Sequence, residues 1–330
     1  MLRIRVTCPP ESTGAVVDEL TGHDGVADVV SLPGAGVHPR GDVVEADVAR
    51  EATDDILDQL EKLRLGTSAT VTLSHLDTAL GQPFDEANAN APGSGQDAVV
   101  WDQLAQETGG GSVASASFLI FLVIATLIAA VGLLTNSQVL IVGAMILGPE
   151  FTALAGIAVG LVRHRWQDCV DPARAVVIGF LLAIAATAGA VELADLLGLV
   201  PEAYLRGQRP LTSFVSTPNV FSIVVALLAG VAGTVSLTAE KSTTLVGVFV
   251  SVTTVPAAAE IGGALVTGQT GRASGAAIQL AANLVSILVA AVITLRLQRG
   301  IWHRVAADPK RRRAAGRRRR AVRNRRHAGW

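Results

Sequence analysis

The chain has 330 residues, 50% of them hydrophobic but only 4% aromatic, with a mean hydropathy of +0.46. That hydropathy is too high for an ordinary soluble domain and points to a membrane protein. The net charge of −1 conceals a segregation: residues 1–108 carry 19 acidic against 6 basic side chains, residues 109–298 carry 8 of each, and residues 299–330 carry 13 basic ones against Asp308 alone.

In chain order, "LRIRVTC" alternates apolar and polar residues with a period of two, which predicts a strand. Pro9-Pro10-Glu11-Ser12 ends it and opens a helix, "STGAVVDELTGH", with Val16, Val17 and Leu20 on one face. "VADVVSL" and "DVVEADVA" flank a Gly/Pro turn region, "PGAGVHPRG", and predict a hairpin. "TDDILDQLEKLRL" is amphipathic, with Ile56, Leu57, Leu60 and Leu63 at helical spacing and Thr53 expected as its N-cap. "SATVTLSHL" closes the series as a last strand. The order βαββαβ over residues 1–80 predicts an α+β ferredoxin-like domain, which fits either a ligand-sensing role or an oligomerisation and docking role. No apolar leader opens the chain, so this domain is expected to stay on the cytoplasmic side. Cys8 and Cys169 are expected there too, as unpaired thiols. Residues 81–115 read as a Pro/Gly/Asn linker with a short helix, "AVVWDQLAQET".

Residues 116–298 are expected to be an α-helical polytopic membrane domain, with spans at 116–135, 139–162, 173–198, 219–238, 243–267 and 274–297. With the N-terminus inside, Arg163, Arg165, Arg174 and Lys241 fall on the cytoplasmic side with the C-terminal tail, while Arg206, Arg209 and Arg272 fall outside. This matches the positive-inside rule. "PEFTALAG" in the second span parallels "PAAAEIGG" in the fifth, and three spans separate the copies, so they would cross in opposite directions. A 3+3 inverted repeat with one broken helix in each half is a recurrent transporter plan.

Four segments, "IVGAMILGP", "STPNVFSIVVALLAGVAG", "LVGVFVSVTTVPAAAEIGGAL" and "AANLVSILVAAVI", together resemble the bacterial membrane family known as domain of unknown function 389. The resemblance runs from about Trp101 to Leu297. It implies a multi-span integral membrane protein, often with an extra soluble domain, and brings no settled substrate.

The polar residues inside the spans are the candidate site. Gly148 and Pro149 lie near the midpoint of the second span and Pro256 just past that of the fifth, where a proline frees backbone carbonyls that a neighbour must satisfy. Ser251, Thr253 and Thr254 precede Pro256 within one turn, so their hydroxyls could bond that backbone or hold an ion. Glu150 is placed at mid-bilayer, where an ionised carboxylate costs roughly 2.5–3.5 kcal/mol and normally faces a protein interior or aqueous cavity. Removal from water favours its neutral form, so it is expected either to carry a proton or cation or to bond the backbone freed by Pro149. Glu260 is a second candidate, and Asn283 with Gln279 shares one face of the last span at i, i+4 spacing, as pathway lining or helix glue. Glu192 and Asp195 fall near the end of the third span. The chain lacks HExxH, GxSxG, Walker and Cys/His metal spacings, so no catalytic residue, metal ligand or cofactor is expected, and the protein is not expected to be an enzyme.

The tail "KRRRAAGRRRRAVRNRRHAGW" follows a span directly and is expected to contact anionic lipid rather than nucleic acid. The small-residue sets "GAMILG", "GIAVG" and "GVAG" permit close helix packing, including between copies in a homo-oligomer. The expected function is a transporter of a small solute or ion in the bacterial inner membrane, with both termini cytoplasmic. The alternatives are an oligomeric scaffold or sensor, or a pore.

Overall fold

A computed structural model describes residues 1–91 except 67 and 77, the helical positions Trp101, Leu104, Ala105 and Thr108, and residues 114–208, 210–216, 219–238 and 254–306, the last six as backbone. The chain divides into two compact units, one of Met1–Gln103 together with the chain from Gln298 onward and one of Leu104–Leu297.

The first unit is a four-stranded antiparallel sheet carrying helices. Its elements are β1 (Leu2–Cys8), α1 (Pro10–Thr21), β2 (Val26–Val37), β3 (Arg40–Val48), α2 (Thr53–Lys62) and β4 (Thr70–His75). The strand order is β2-β3-β1-β4, so each βαβ connection skips one position. This is the split arrangement that the βαββαβ pattern calls for. The period of two in β1 explains its core: Leu2, Ile4, Val6 and Cys8 are buried together with Val16 and Leu20 of α1 and Ile56 and Leu60 of α2. The intervening residues face the other way and pair across strands. Arg3 lies opposite Asp47 and donates to both its carboxylate oxygens, from Nε at 2.7 Å and Nη2 at 2.9 Å. Arg5 lies opposite Glu45, with its Nε 3.6 Å away.

Local chemistry shifts several element boundaries. α1 starts at Pro10, whose missing N–H is one that the first turn of a helix leaves unpaired anyway. Thr53 is the first residue of α2 and not its cap, because its hydroxyl donates back to the Ala49 carbonyl at 3.3 Å. The expected turn over 33–41 is mostly strand: β2 continues to Val37 and the chain reverses at His38-Pro39. A register shift between Leu32 and Gly36 absorbs the extra residues, with Gly34 at φ +67°, a conformation open to glycine. The Gly34 N–H donates to Asp42 Oδ1 at 2.8 Å and the Thr13 hydroxyl donates to Asp42 Oδ2 at 2.7 Å. Residues 82–90, expected as linker, form α3 (Gln82–Asn90), which packs against β2 and buries Ala87. Pro83 stands in its first turn, where a proline removes no helical hydrogen bond.

The Gly34 amide, and after it the Thr13 hydroxyl, hold the Asp42 carboxyl below the usual aspartate range. A carboxyl with a depressed folded-state value adds stability in full above its unfolded value, near 3.9, and loses it as pH falls through the folded value. Asp42→Asn therefore speeds pepsin cleavage within residues 1–76 at pH 4.5, and its difference from the native chain shrinks toward pH 2. A difference that grows on acidification contradicts this role.

The second unit is helical. Its elements are α4 (Ala116–Leu134), α5 (Gln138–Leu147), α6 (Glu150–Val162), α7 (Val170–Leu196), the single turn α8 (Glu202–Leu205), α9 (Val220–Thr238), α10 (Val255–Val266) and α11 (Thr270–Ala306), which belongs to this unit as far as Leu297. Its interior is rich in alanine, with Ala125, Ala129, Ala153, Ala183 and Ala258 buried, while large apolar residues such as Phe221 and Leu181 stand on the outside, 80% and 64% exposed. That distribution suits hydrocarbon surroundings, where small residues let helices approach and large ones face lipid. Among the described residues, four helical stretches are long and apolar enough to cross a membrane: Ala116–Leu134, Trp166–Leu196, Val220–Thr238 and Thr270–Gly300. A fifth crossing results if α5 and α6, bent by 47° at their break, count as one span. Of the expected span 243–267, the part before Thr254 lies outside the described residues, and α10 is the apolar remainder.

Candidate functional site: two helix starts at a buried carboxylate

The break in the second expected span falls at Gly148-Pro149. Gly148 leaves α5 in an extended conformation (φ −67°, ψ 120°), and Pro149 (φ −90°, ψ 0°) is the N-cap of α6. Pro256 likewise stands in the first turn of α10. Both prolines therefore begin helices, which agrees with a break in the second span and corrects the expectation that they free backbone carbonyls. In a first turn the N–H groups have no intrahelical acceptor, so proline there removes nothing. The first turn of α10 closes behind Pro256, where the Ala258 N–H donates to the Thr254 carbonyl at 3.0 Å.

Glu150 is the first residue of α6 and fully buried. Thr254, the residue from which α10 starts, is equally buried, and its hydroxyl donates to Glu150 Oε1 at 2.5 Å. One hydrogen bond thus joins the starts of two helices distant in sequence. Thr254 spends its hydroxyl on a carboxylate, not on freed backbone. The next residue, Phe151, lays its ring on α9 at Gly233, where a Cβ would stand 2.5 Å from the ring.

α6 and α10 run from this point toward opposite ends of α7. The end of α6 meets the start of α7, since Gly160 touches Cys169. The end of α10 meets the far part of α7, where Gly262 touches Ile184, Thr187 and Ala188, and Gly263 approaches Val191. Cys169 stands just before α7, and Val170 and Val191 are about 32 Å apart along it at the helical rise. The partial positive charge carried by a helix N-terminus therefore reaches Glu150 from two directions. A carboxylate so placed can exchange a proton, hold a cation, or share the first-turn N–H groups with a polar solute.

The other expected site residues are placed as follows. Ser251 and Thr253 lie outside the described residues. Glu260 is fully buried on α10 and forms an ion pair with Arg272 of α11, whose Nε donates to Glu260 Oε1 at 2.7 Å. Asn283 and Gln279 are buried on α11 and bonded to each other, Gln279 Nε2 donating to Asn283 Oδ1 at 3.3 Å. Glu192 and Asp195 are exposed near the end of α7. The structure thus brings Gly148, Pro149, Glu150, Thr254 and Pro256 to one place and sets Glu260 in a second cluster. Sequence reasoning found Glu260 but missed its partners in that cluster. Arg272 reads in the sequence only as a charge outside the spans, and its pairing with Glu260 twelve positions earlier is visible only in the structure. Tyr204 and Gln269 gave no signal. Among the described residues, no group of three or more His, Cys, Asp or Glu side chains is arranged to hold a metal ion.

No curated protein and no solved structure matches the chain. The model of the family described as Domain of unknown function (DUF389) does match, over residues 145–289, the part of the chain that holds Glu150, Thr254, Glu260, Arg272 and Asn283, and it is the family that the chain's segments resemble.

Proposed function

We propose that the protein is a transporter of a small solute or ion, with its site at the meeting point of α6 and α10 and with Glu150 as the group that couples transport to a proton or cation. The observation that carries this reading is the Thr254–Glu150 hydrogen bond, which sets a fully buried carboxylate between two helix starts within an apolar helical unit. Many transporters place their sites where discontinuous helices begin or end, and irregular backbone at membrane depth is tolerated where it is buried in protein or lines a cavity. The opposite run of α6 and α10 and the pairing of "PEFTALAG" with "PAAAEIGG" support six crossings related as a 3+3 inverted repeat. The basic residues Arg163, Arg165, Arg174 and Lys241 support cytoplasmic termini in a bacterial inner membrane. The basic tail rests on anionic lipid, the small-residue helix faces pair copies of the chain, and the protein performs no enzymatic reaction.

The test is uptake of labelled amino acids, carboxylates, sugars and nucleosides into liposomes containing the purified protein, under an imposed proton or sodium gradient. Saturable, gradient-dependent uptake is expected, and Thr254→Val lowers it about tenfold, the order expected when a buried charge loses a hydrogen bond worth about 1.5–3 kcal/mol. Gradient-independent, unsaturable flux would identify a pore, and no uptake by correctly inserted protein would leave a scaffold or sensor; either outcome overturns the proposal.

A further inference from the structure

The second cluster of buried polar groups lies along α10 from the first. Thr254, Ala257 and Glu260 follow one another at three-residue spacing, which forms a slanted stripe on a helix surface. Glu260 is about 9 Å along the axis from Thr254. All three residues are buried. At the far end of the stripe stands Arg272, in the first turn of α11, with its side chain 18% exposed against 0% for Glu260. The pair therefore marks the boundary between the interior that holds Glu150 and the surface.

Arg272 is the hub of this boundary. Its Nε donates to Glu260 Oε1 at 2.7 Å and its Nη2 lies 2.6 Å from the same oxygen. Its Nη1 donates to the Tyr204 carbonyl at 3.1 Å and also to Gln269 Oε1. The guanidinium stacks over the Tyr204 ring at 4.6 Å. Tyr204 belongs to α8, in the connection between α7 and α9, and is 1% exposed. Its hydroxyl is wedged against α10 at Gly263, where a Cβ would stand 2.5 Å away. Gln269 Nε2 adds a bond to the Leu205 carbonyl at 3.3 Å. One guanidinium thus ties the α7–α9 connection to the turn between α10 and α11.

We propose that the Glu260–Arg272 pair, with Tyr204, is a gate that closes one end of the path leading to Glu150; this rests on the transport reading of that carboxylate. The energetics favour a gate over a fastener. A desolvated ion pair is held by attraction that nearly cancels the cost of removing both charges from water, so an entering ion or rehydration opens it at small net cost. An apolar clamp of the same area gives no such balance. The stripe Thr254–Ala257–Glu260 then becomes the wall of the opened path.

The test reads access without needing transport. In the Cys8→Ser, Cys169→Ser chain, Ala257→Cys reports access from water through its reaction with a membrane-impermeant maleimide on intact protein in liposomes. With the native pair the reaction is slow. In Glu260→Gln, in Arg272→Gln and in the double variant Glu260→Ala, Arg272→Ala it accelerates at least about tenfold, as expected for a lowered local opening free energy. The double variant leaves no unpaired charge and so decides the matter if the single variants fail to fold. A folded double variant that labels at the native rate overturns the gate, and a double variant that cannot fold shows a fastener and overturns it equally. Accelerated labelling in a protein that carries no solute would count against the transport proposal alone, and transport with unchanged labelling against the gate alone.

Discussion

Arg272→Ala lowers the stability of the folded protein by about 3–5 kcal/mol, the range for removing one partner of a buried ion pair. The reason is asymmetric burial. Glu260 has no exposed surface, so its carboxylate keeps its desolvation and loses its cation. Arg272 is partly exposed and retains the Tyr204 carbonyl and ring, so the reverse change, Glu260→Ala, costs less. The double variant Glu260→Ala, Arg272→Ala recovers most of the loss, because both charges leave together. Chemical unfolding of the four proteins in detergent measures the cycle. A double variant whose loss equals the sum of the two single losses would mean that the two side chains contribute independently and that the pair itself adds nothing.

Glu150→Gln is the second large effect, and it falls on activity rather than on folding. Glutamine preserves the shape and the acceptor to which the Thr254 hydroxyl donates, so α6 and α10 still meet. It removes the charge and the exchangeable carboxyl proton. Gradient-driven uptake falls on the order of 100-fold, the lower end of what a positioned proton-transfer group contributes. Elution as a single species and an unchanged melting transition separate this loss from misfolding. Uptake in Glu150→Gln that equals the native rate at every pH removes the coupling role.

The sequence disclosed these features unevenly, for physical reasons. Alternation in "LRIRVTC" placed β1, because period two is a property of the strand itself and its buried half is apolar without exception. Gly148-Pro149 located the break in the second span, since proline excludes a helix interior wherever the chain is. The reason for the break was misread: a proline that starts a helix and one that kinks it look alike in sequence, and only the register of the helix tells them apart. The extension of β2 through Pro33–Gly36 was hidden because a bulge uses the same glycines as a turn. Helix α3 was hidden because its Gln, Pro and Asn composition resembles a loop, and its support comes from packing on β2. At the site, Glu150 and Glu260 were conspicuous as carboxylates in apolar surroundings, but their partners were not. Thr254 reaches Glu150 across 104 positions of sequence, and Tyr204 meets Arg272 across 68, contacts that only the packing of the helices creates.

The most direct measurement is uptake by protein whose buried carboxylates have reacted with a lipid-soluble carbodiimide, with mass spectrometry to locate the adduct. An adduct at Glu150 that abolishes gradient-driven uptake, with little adduct at Glu260, whose carboxylate the Arg272 guanidinium covers, is the expected result. An adduct at Glu260 in place of Glu150, or native uptake by protein modified at Glu150, would contradict the coupling role.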